Sequence, residues 1–255
     1  MTFVWRTAVV MCGLLASIGA LPVQAAEARV AVAANFAKPM AQIAEGFAAA
    51  TGHTVALSVG STGRLYSQII AGAPFDVLLA ADAQTPARLV DEGHAQAASR
   101  FTYAIGQLVL WSPLSGRVDA EGRVLSGTGW QRLAIANPKL APYGAAAMAV
   151  LEKRGLVGHV APRLVTGDSI GQAYQFVATG NAELGFVALS QVQSPGQEAP
   201  GSMWRVPQAY YPEIRQDAVL LRHGETNPAA VALLKYLRET EARALIAAYG
   251  YVTVD

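Results

Sequence analysis

The segment Thr166 to Tyr174, TGDSIGQAY, contains G-D-S-I-G, the pattern that sets a nucleophilic serine on a strand-to-helix turn. A hydrolase built on Ser169 needs an acid and a histidine later in the chain, and Asp217 and His223 nominally supply them. Two features oppose that reading. No HGGG-like oxyanion segment precedes the serine, and the charge of Asp168 beside it would oppose a developing oxyanion. The other chemistry such a turn offers is that of its backbone, because the first N–H groups of a helix are unpaired and carry roughly half a positive charge. Three further turns have the same character: Ala34-Asn35-Phe36, Gly60-Ser61-Thr62-Gly63 and Pro142-Tyr143-Gly144. All four are built of small, hydroxyl or amide residues, with Arg64 and Asp168 the only formal charges nearby. Helix ends of this kind, converging across a cleft, hold an anion without any lysine or arginine. The Asn35 amide and the hydroxyls of Ser61 and Thr62 would add donors.

Taken singly, Asn35, Ser61 and Ser169 read as ordinary helix caps. Tyr143 reads either as a donor to the ligand or as an aromatic plug over the core. The four histidines, His53, His94, His159 and His223, are dispersed, without an H-x-x-x-H pair or a carboxylate cluster, and are read as surface residues rather than metal ligands. There is no G-x-x-x-x-G-K-[ST] and no G-x-G-x-x-G after a strand, so nucleotide binding has no support.

The elements that must position these turns alternate. ARVAVAA, TVALSV and FDVLLAA read as buried parallel strands, separated by the helical stretches AKPMAQIAEGFAAATG and RLYSQIIAG. RFTYAIGQLVLWSP breaks the alternation as one long β-rich run. A fresh α/β series follows: strand LAIANP, helix AAAMAVLEKRG, strand RLVTG, helix QAYQFVATG and strand LGFVALS. After a polar loop from about Gln193 to Ser202 come a strand at AVLL and one or two helices in NPAAVALLKYLRETEARALIAAYG, with Val231, Leu234 and Leu237 on one face. A terminal strand, YVTV, is expected to join the first series. The fold class expected is therefore α/β with two lobes, each a mostly parallel sheet flanked by helices, joined by a hinge of extended strands. Residues 26–104 and 215–255 form the first lobe and 105–214 the second. Open parallel sheets bind ligands at the carboxyl ends of their strands, which places all four turns at one cleft.

The first 25 residues carry Arg6, an apolar run from Ala8 to about Leu21, and Val23 and Ala25 spaced for signal peptidase. They read as a secretory signal cut before Ala26, since Pro22 and Gln24 end the run too early for a membrane anchor. The one cysteine, Cys12, falls inside it, so the mature chain has no disulfide or thiol chemistry. Removing Arg6 leaves 18 basic residues (19 minus 1) against 18 acidic ones, a balance that gives no field to attract nucleic acid.

The stretches VAVAANF, GSTGRLYSQIIAGAPFDVLLAADAQTPARL, SRFTYAIGQLVLWS, AIANPKLAPYG, DSIGQAY, LGFVALSQ and YGYV resemble the periplasmic molybdate-binding proteins of ABC importers, from end to end of the mature chain. The resemblance implies a type II periplasmic binding protein, a monomer without enzymatic activity or cofactor. Such a protein clamps molybdate or tungstate between its lobes and passes it to a membrane permease, so that molybdenum enters only as the bound oxyanion. Carried over by position, the implied contacts are Asn35, Ser61 or Thr62, Tyr143, the backbone N–H of Ile170, and the main chain of Ala34. The chain follows the branch with asparagine at position 35 and has Ala188 where another branch carries a tyrosine. Another small anion such as sulfate is the alternative ligand.

Overall fold

A computed structural model describes residues 25–254, so the signal expected over residues 1–25 lies, but for Ala25, outside the described residues. The chain runs β1 (Glu27–Ala33), a 3-10 turn (Ala34–Phe36), α1 (Ala37–Thr51), β2 (Thr54–Gly60), α2 (Thr62–Ile70), β3 (Val77–Leu79), α3 (Gln84–Asp91) and β4 (Phe101–Gly106). It continues through β5 (Leu108–Ser112), β6 (Leu133–Ala136), α4 (Pro142–Lys153), α5 (Val157–Val160), β7 (Leu164–Gly167), α6 (Ile170–Ala178), β8 (Leu184–Ala188), α7 (Leu189–Val192) and β9 (Ser202–Arg205). It ends in β10 (Ile214–Leu220), α8 (Pro228–Tyr236) and α9 (Thr240–Ala248). Among the described residues no helix is long and apolar enough to cross a membrane.

The strands form two five-stranded sheets, one in the order β2-β1-β3-β10-β4 and the other β7-β6-β8-β5-β9. Both are mixed. In the first, β10 runs against β3 and β4 while β1, β2 and β3 are parallel. In the second, β5 runs against β8 and β9 while β6 is parallel to β7 and β8. The run RFTYAIGQLVLWSP, expected as one extended piece, breaks at Gln107: β4 belongs to one sheet and β5 to the other, and Gln107 O accepts the Leu189 N–H at 2.9 Å. The chain returns between Arg205 and Ile214. The result is a two-lobed α/β fold.

Side-chain alternation on β1 shows how the first sheet is covered. Ala28, Val30 and Val32 pack with Met40, Ile43 and Phe47 of α1 and Leu233 of α8, whereas Ala31 points to the other face among Leu65, Ile69 and Leu89. Phe47 is fully buried, which contributes about 1.5–3 kcal/mol of hydrophobic stabilisation. Gly52, with φ of 74°, ends α1 in the left-handed conformation that a Cβ disfavours.

Four details differ from the sequence expectation. The polar loop after Gln193 ends in a strand, β9, which pairs with β5 as the sheet edge. The C-terminal YVTV makes only a single bridge to β4, with the Val252 and Ile105 N–H groups exchanging bonds of 3.0 and 2.8 Å. Val231 is exposed, because the Asn227 side chain caps α8 through the Ala229 N–H and sets a phase in which Ala230, Leu233, Leu234 and Leu237 face inward. His53 is buried rather than at the surface, its Nδ1 accepting the Ala26 N–H at 3.2 Å.

Candidate functional site

The four turns follow β1, β2, β6 and β7, and the structure brings them together. Ala34, Asn35, Ser61, Thr62, Tyr143 and Ile170 line one cavity between the lobes, closed over by Ala33, Gly60, Ala81, Ala141 and Pro142. The space among these residues is small, about 190 Å³ even with its opening to solvent counted. No charged side chain lines it. A roomier crevice lined by Phe101, Arg215, Arg238 and Arg243 draws no residue from the second sheet and so is not a cleft site.

Three helices begin at the cavity: Thr62 is the first residue of α2, Ile170 the first of α6, and Tyr143 the second of α4. Pro142 takes the first position of α4, where its missing N–H removes nothing that a helix could have used. The N–H groups of such first turns have no intrahelical acceptor. Gly144 allows α4 to start against β6, for a Cβ there would lie 2.2 Å from Ala136 O.

Ser61 and Ser169 separate clearly. Ser169 Oγ accepts the Gln172 N–H at 3.2 Å and so caps α6, leaving Ile170 to present its backbone. Ser61 sits at the corresponding position of α2 but makes no cap bond, and its Oγ is buried without any hydrogen-bond partner. Such an orphan hydroxyl costs about 1–3 kcal/mol unless something in the cavity satisfies it. Thr62 Oγ1 accepts the Ala81 N–H at 3.0 Å, which leaves its own proton free to donate.

Asn35 is buried and tied to the first lobe. Its Nδ2 donates to Gln216 Oε1 at 2.8 Å and to Tyr251 Oη at 2.9 Å, so both amide hydrogens are engaged within the protein. Turning the Asn35 amide alone would set Oδ1 against Gln216 Oε1, whereas turning both amides keeps their bond and puts Asn35 Nδ2 where Oδ1 stands. Oδ1 is buried without a partner. Asn35 also offers a ligand the start of the turn that holds its backbone. Tyr143, 1% exposed, is a plug as one of its two expected readings had it: its ring packs in the core of the second lobe, and its hydroxyl reaches the first, accepting from Gln216 Nε2 at 3.1 Å. Gln216 can only donate there, so the phenol proton remains available. Burial, reinforced by the nearby Tyr251 phenol, holds Tyr143 well above its usual ionisation range. It is a neutral donor.

Sequence reasoning missed Gln216, Tyr251, Ser190 and Tyr103. Tyr251 Oη lies 3.0 Å from Asn35 O and 2.9 Å from Ser190 Oγ, and Ser190 Oγ donates to Asn35 O at 2.9 Å. Tyr103 Oη lies 2.9 Å from Ala80 O and 3.0 Å from Gln216 Oε1. One signal was present: a glutamine two residues before Ala218 and four before Leu220 stands on the inward face of an apolar strand.

The lobes are closed on each other. Across the cleft the Gly63 N–H donates to Leu140 O at 2.9 Å, and a Cβ on Gly63 would lie 3.2 Å from that backbone. Outside the cavity Arg64 and Asp168 stand 4.0 Å apart with side chains 64% and 72% exposed, a pair that contributes little. The hydrolase constellation is absent. Asp217 bonds Arg100 and Thr102, His223 bonds Asp76 at 2.7 Å, and Ser169 is engaged in its cap. Among the described residues no cluster of three or more His, Cys, Asp or Glu is placed to hold a metal ion.

The family of bacterial extracellular solute-binding proteins matches residues 28–252. The chain belongs to that family. This solute-binding protein, which is not an enzyme, is 57% identical over 236 residues to the molybdate-binding protein ModA of Azotobacter vinelandii, covering 92% of this chain and 94% of the relative. It is 53% identical over 234 residues to the molybdate-binding protein ModA of Rhodobacter capsulatus, covering 92% and 91%. The solved periplasmic molybdate-binding protein of Azotobacter vinelandii shares its fold with a TM-score of 0.87 at 43% identity, over 89% of this chain and 100% of that one.

Proposed function

We propose that this solute-binding protein captures molybdate, and tungstate with it, in the closed cavity and delivers the anion to the permease of an ABC importer. The observation that carries the reading is the buried, unpartnered hydroxyl of Ser61, set among helix N-termini in a small cavity without charged walls. The high identity to two molybdate-binding relatives supports the choice of anion. The contacts would be the backbone N–H groups of Ala34, Asn35, Thr62, Tyr143 and Ile170 together with the Asn35 amide and the Ser61, Thr62 and Tyr143 hydroxyls. We divide the protein into two lobes close to the expected 26–104 with 215–255 and 105–214, the first taking in the whole of β4 to Gly106 and of β10 from Ile214, with a signal cut near Ala25 that exports a monomer to the periplasm.

The chemistry matches a fully ionised tetrahedral oxyanion, which presents only acceptors and leaves no donor to satisfy. Hydrogen phosphate keeps a proton and needs an acceptor, and no carboxylate lines the cavity. Desolvating a dianion is costly, so its oxygens must be fully hydrogen-bonded in compensation. Sulfate has the same bonding face but is smaller, and discrimination against it rests on cavity size. Titration calorimetry with molybdate, tungstate, sulfate and phosphate tests this. Molybdate and tungstate should bind at least about a hundredfold tighter than sulfate, a difference of about 2.7 kcal/mol. Equal response to sulfate removes the selectivity, and silence toward all four at millimolar concentration removes the function.

A further inference from the structure

Resting on that reading, we propose that Gln216 is a positioning residue that locks the two lobes together around the bound anion, acting through Asn35 of one lobe and Tyr143 of the other. Its side chain is completely buried, and one amide serves both sides of the cleft. Oε1 accepts from Asn35 Nδ2, while Nε2 donates to Tyr143 Oη. The backbone is shaped for this contact. β10 and β4 pair Gln216 with Ala104 and then Asp217 with Thr102, so Tyr103 is the extra residue of a β-bulge. Bulges re-aim side chains, and this one turns Tyr103 Oη to within 3.0 Å of Gln216 Oε1. Opposite, Gly106 gives the phenol its seat: a Cβ there would lie 2.1 Å from Tyr143 Oη and 2.5 Å from Gln216 Nε2.

The bond from Gln216 to Tyr143 forms only when α4 of the second lobe rests against the strands of the first. It stabilises the closed form and has no part in the first encounter with the anion. Its loss should therefore speed release and leave capture alone. Stopped-flow measurement of molybdate binding to Gln216→Leu and Gln216→Met should show the dissociation rate raised about tenfold or more, with the association rate within about twofold of wild type. Small-angle scattering should show loaded Gln216→Leu more expanded than loaded wild type. A residue serving folding alone would lower the melting temperature of free and loaded protein equally and leave release unchanged, and that result overturns the proposal. If Gln216→Leu does not fold, Gln216→Met, nearer to the native shape, decides by the same rate criterion. Wild type that ignores molybdate would instead refute the function, a distinguishable failure.

Discussion

Ser61 shows how a single atom reports on a ligand. Its hydroxyl occupies a helix N-cap without capping, buried and unpartnered, while the equivalent Ser169 makes its cap bond. Ser61→Ala removes a buried donor that nothing in the protein satisfies, so the free protein should be as stable or slightly more so. The loaded protein loses a bond to a charged acceptor, and molybdate affinity should fall by about 1.5–3 kcal/mol. Calorimetry and thermal melts of both forms check the two halves separately. A melting temperature lowered in the free protein, or unchanged affinity, would refute the assignment. The turn residues were readable in the sequence because helix-start chemistry is local: a small or hydroxyl residue after a strand is visible within four positions. Their supports were not. Gln216 lies 181 positions from Asn35 and Tyr251 lies 216 from it, and no local pattern couples residues at that separation.

At the scale of elements, strand-to-helix alternation was readable through hydrophobic periodicity, and the turns fell at the strand ends as expected of open α/β sheets. The misreadings share a cause. β9 is a four-residue edge strand, SMWR, too short and too polar to stand out from its loop, and the break at Gln107 is a change of sheet that leaves the β pattern of the run intact. Packing at a helix start can also be exacting. Gly144→Ala would put a Cβ 2.2 Å from Ala136 O, backbone against backbone, so α4 must shift off β6. We expect a loss of about 1–3 kcal/mol in stability by urea denaturation. Molybdate affinity should fall too, because Tyr143 moves with the helix. Wild-type stability and affinity in this variant would show that the close contact is not required.

For the molecule as a whole, the cleft floor is a cluster of phenols, and this ties stability to alkaline pH. Tyr103, Tyr143 and Tyr251 all have their ionisation pushed above the usual 10.0, chiefly by burial. The folded protein therefore keeps three protons that the unfolded chain releases near pH 10. By linkage, stability falls wherever the unfolded state binds fewer protons. Below about pH 9 both states are protonated and these groups impose no slope. Above pH 10 each tyrosine contributes a decline of about 1.4 kcal/mol per pH unit, so the three together approach about 4 kcal/mol per unit. Urea unfolding at pH 8, 9, 10 and 11 should give a plateau followed by a steep fall, less steep in Tyr103→Phe or Tyr251→Phe by about 1.4 kcal/mol per pH unit. Molybdate loading should leave the plateau flat and raise it, since the anion binds the closed form in which the phenols are neutral donors. Phenolate absorbance of the folded protein offers an independent check. If all nine tyrosines titrated together near pH 10 while the fold persisted, the buried cluster would have to be open to solvent, and the closed cavity it supports would not exist in solution.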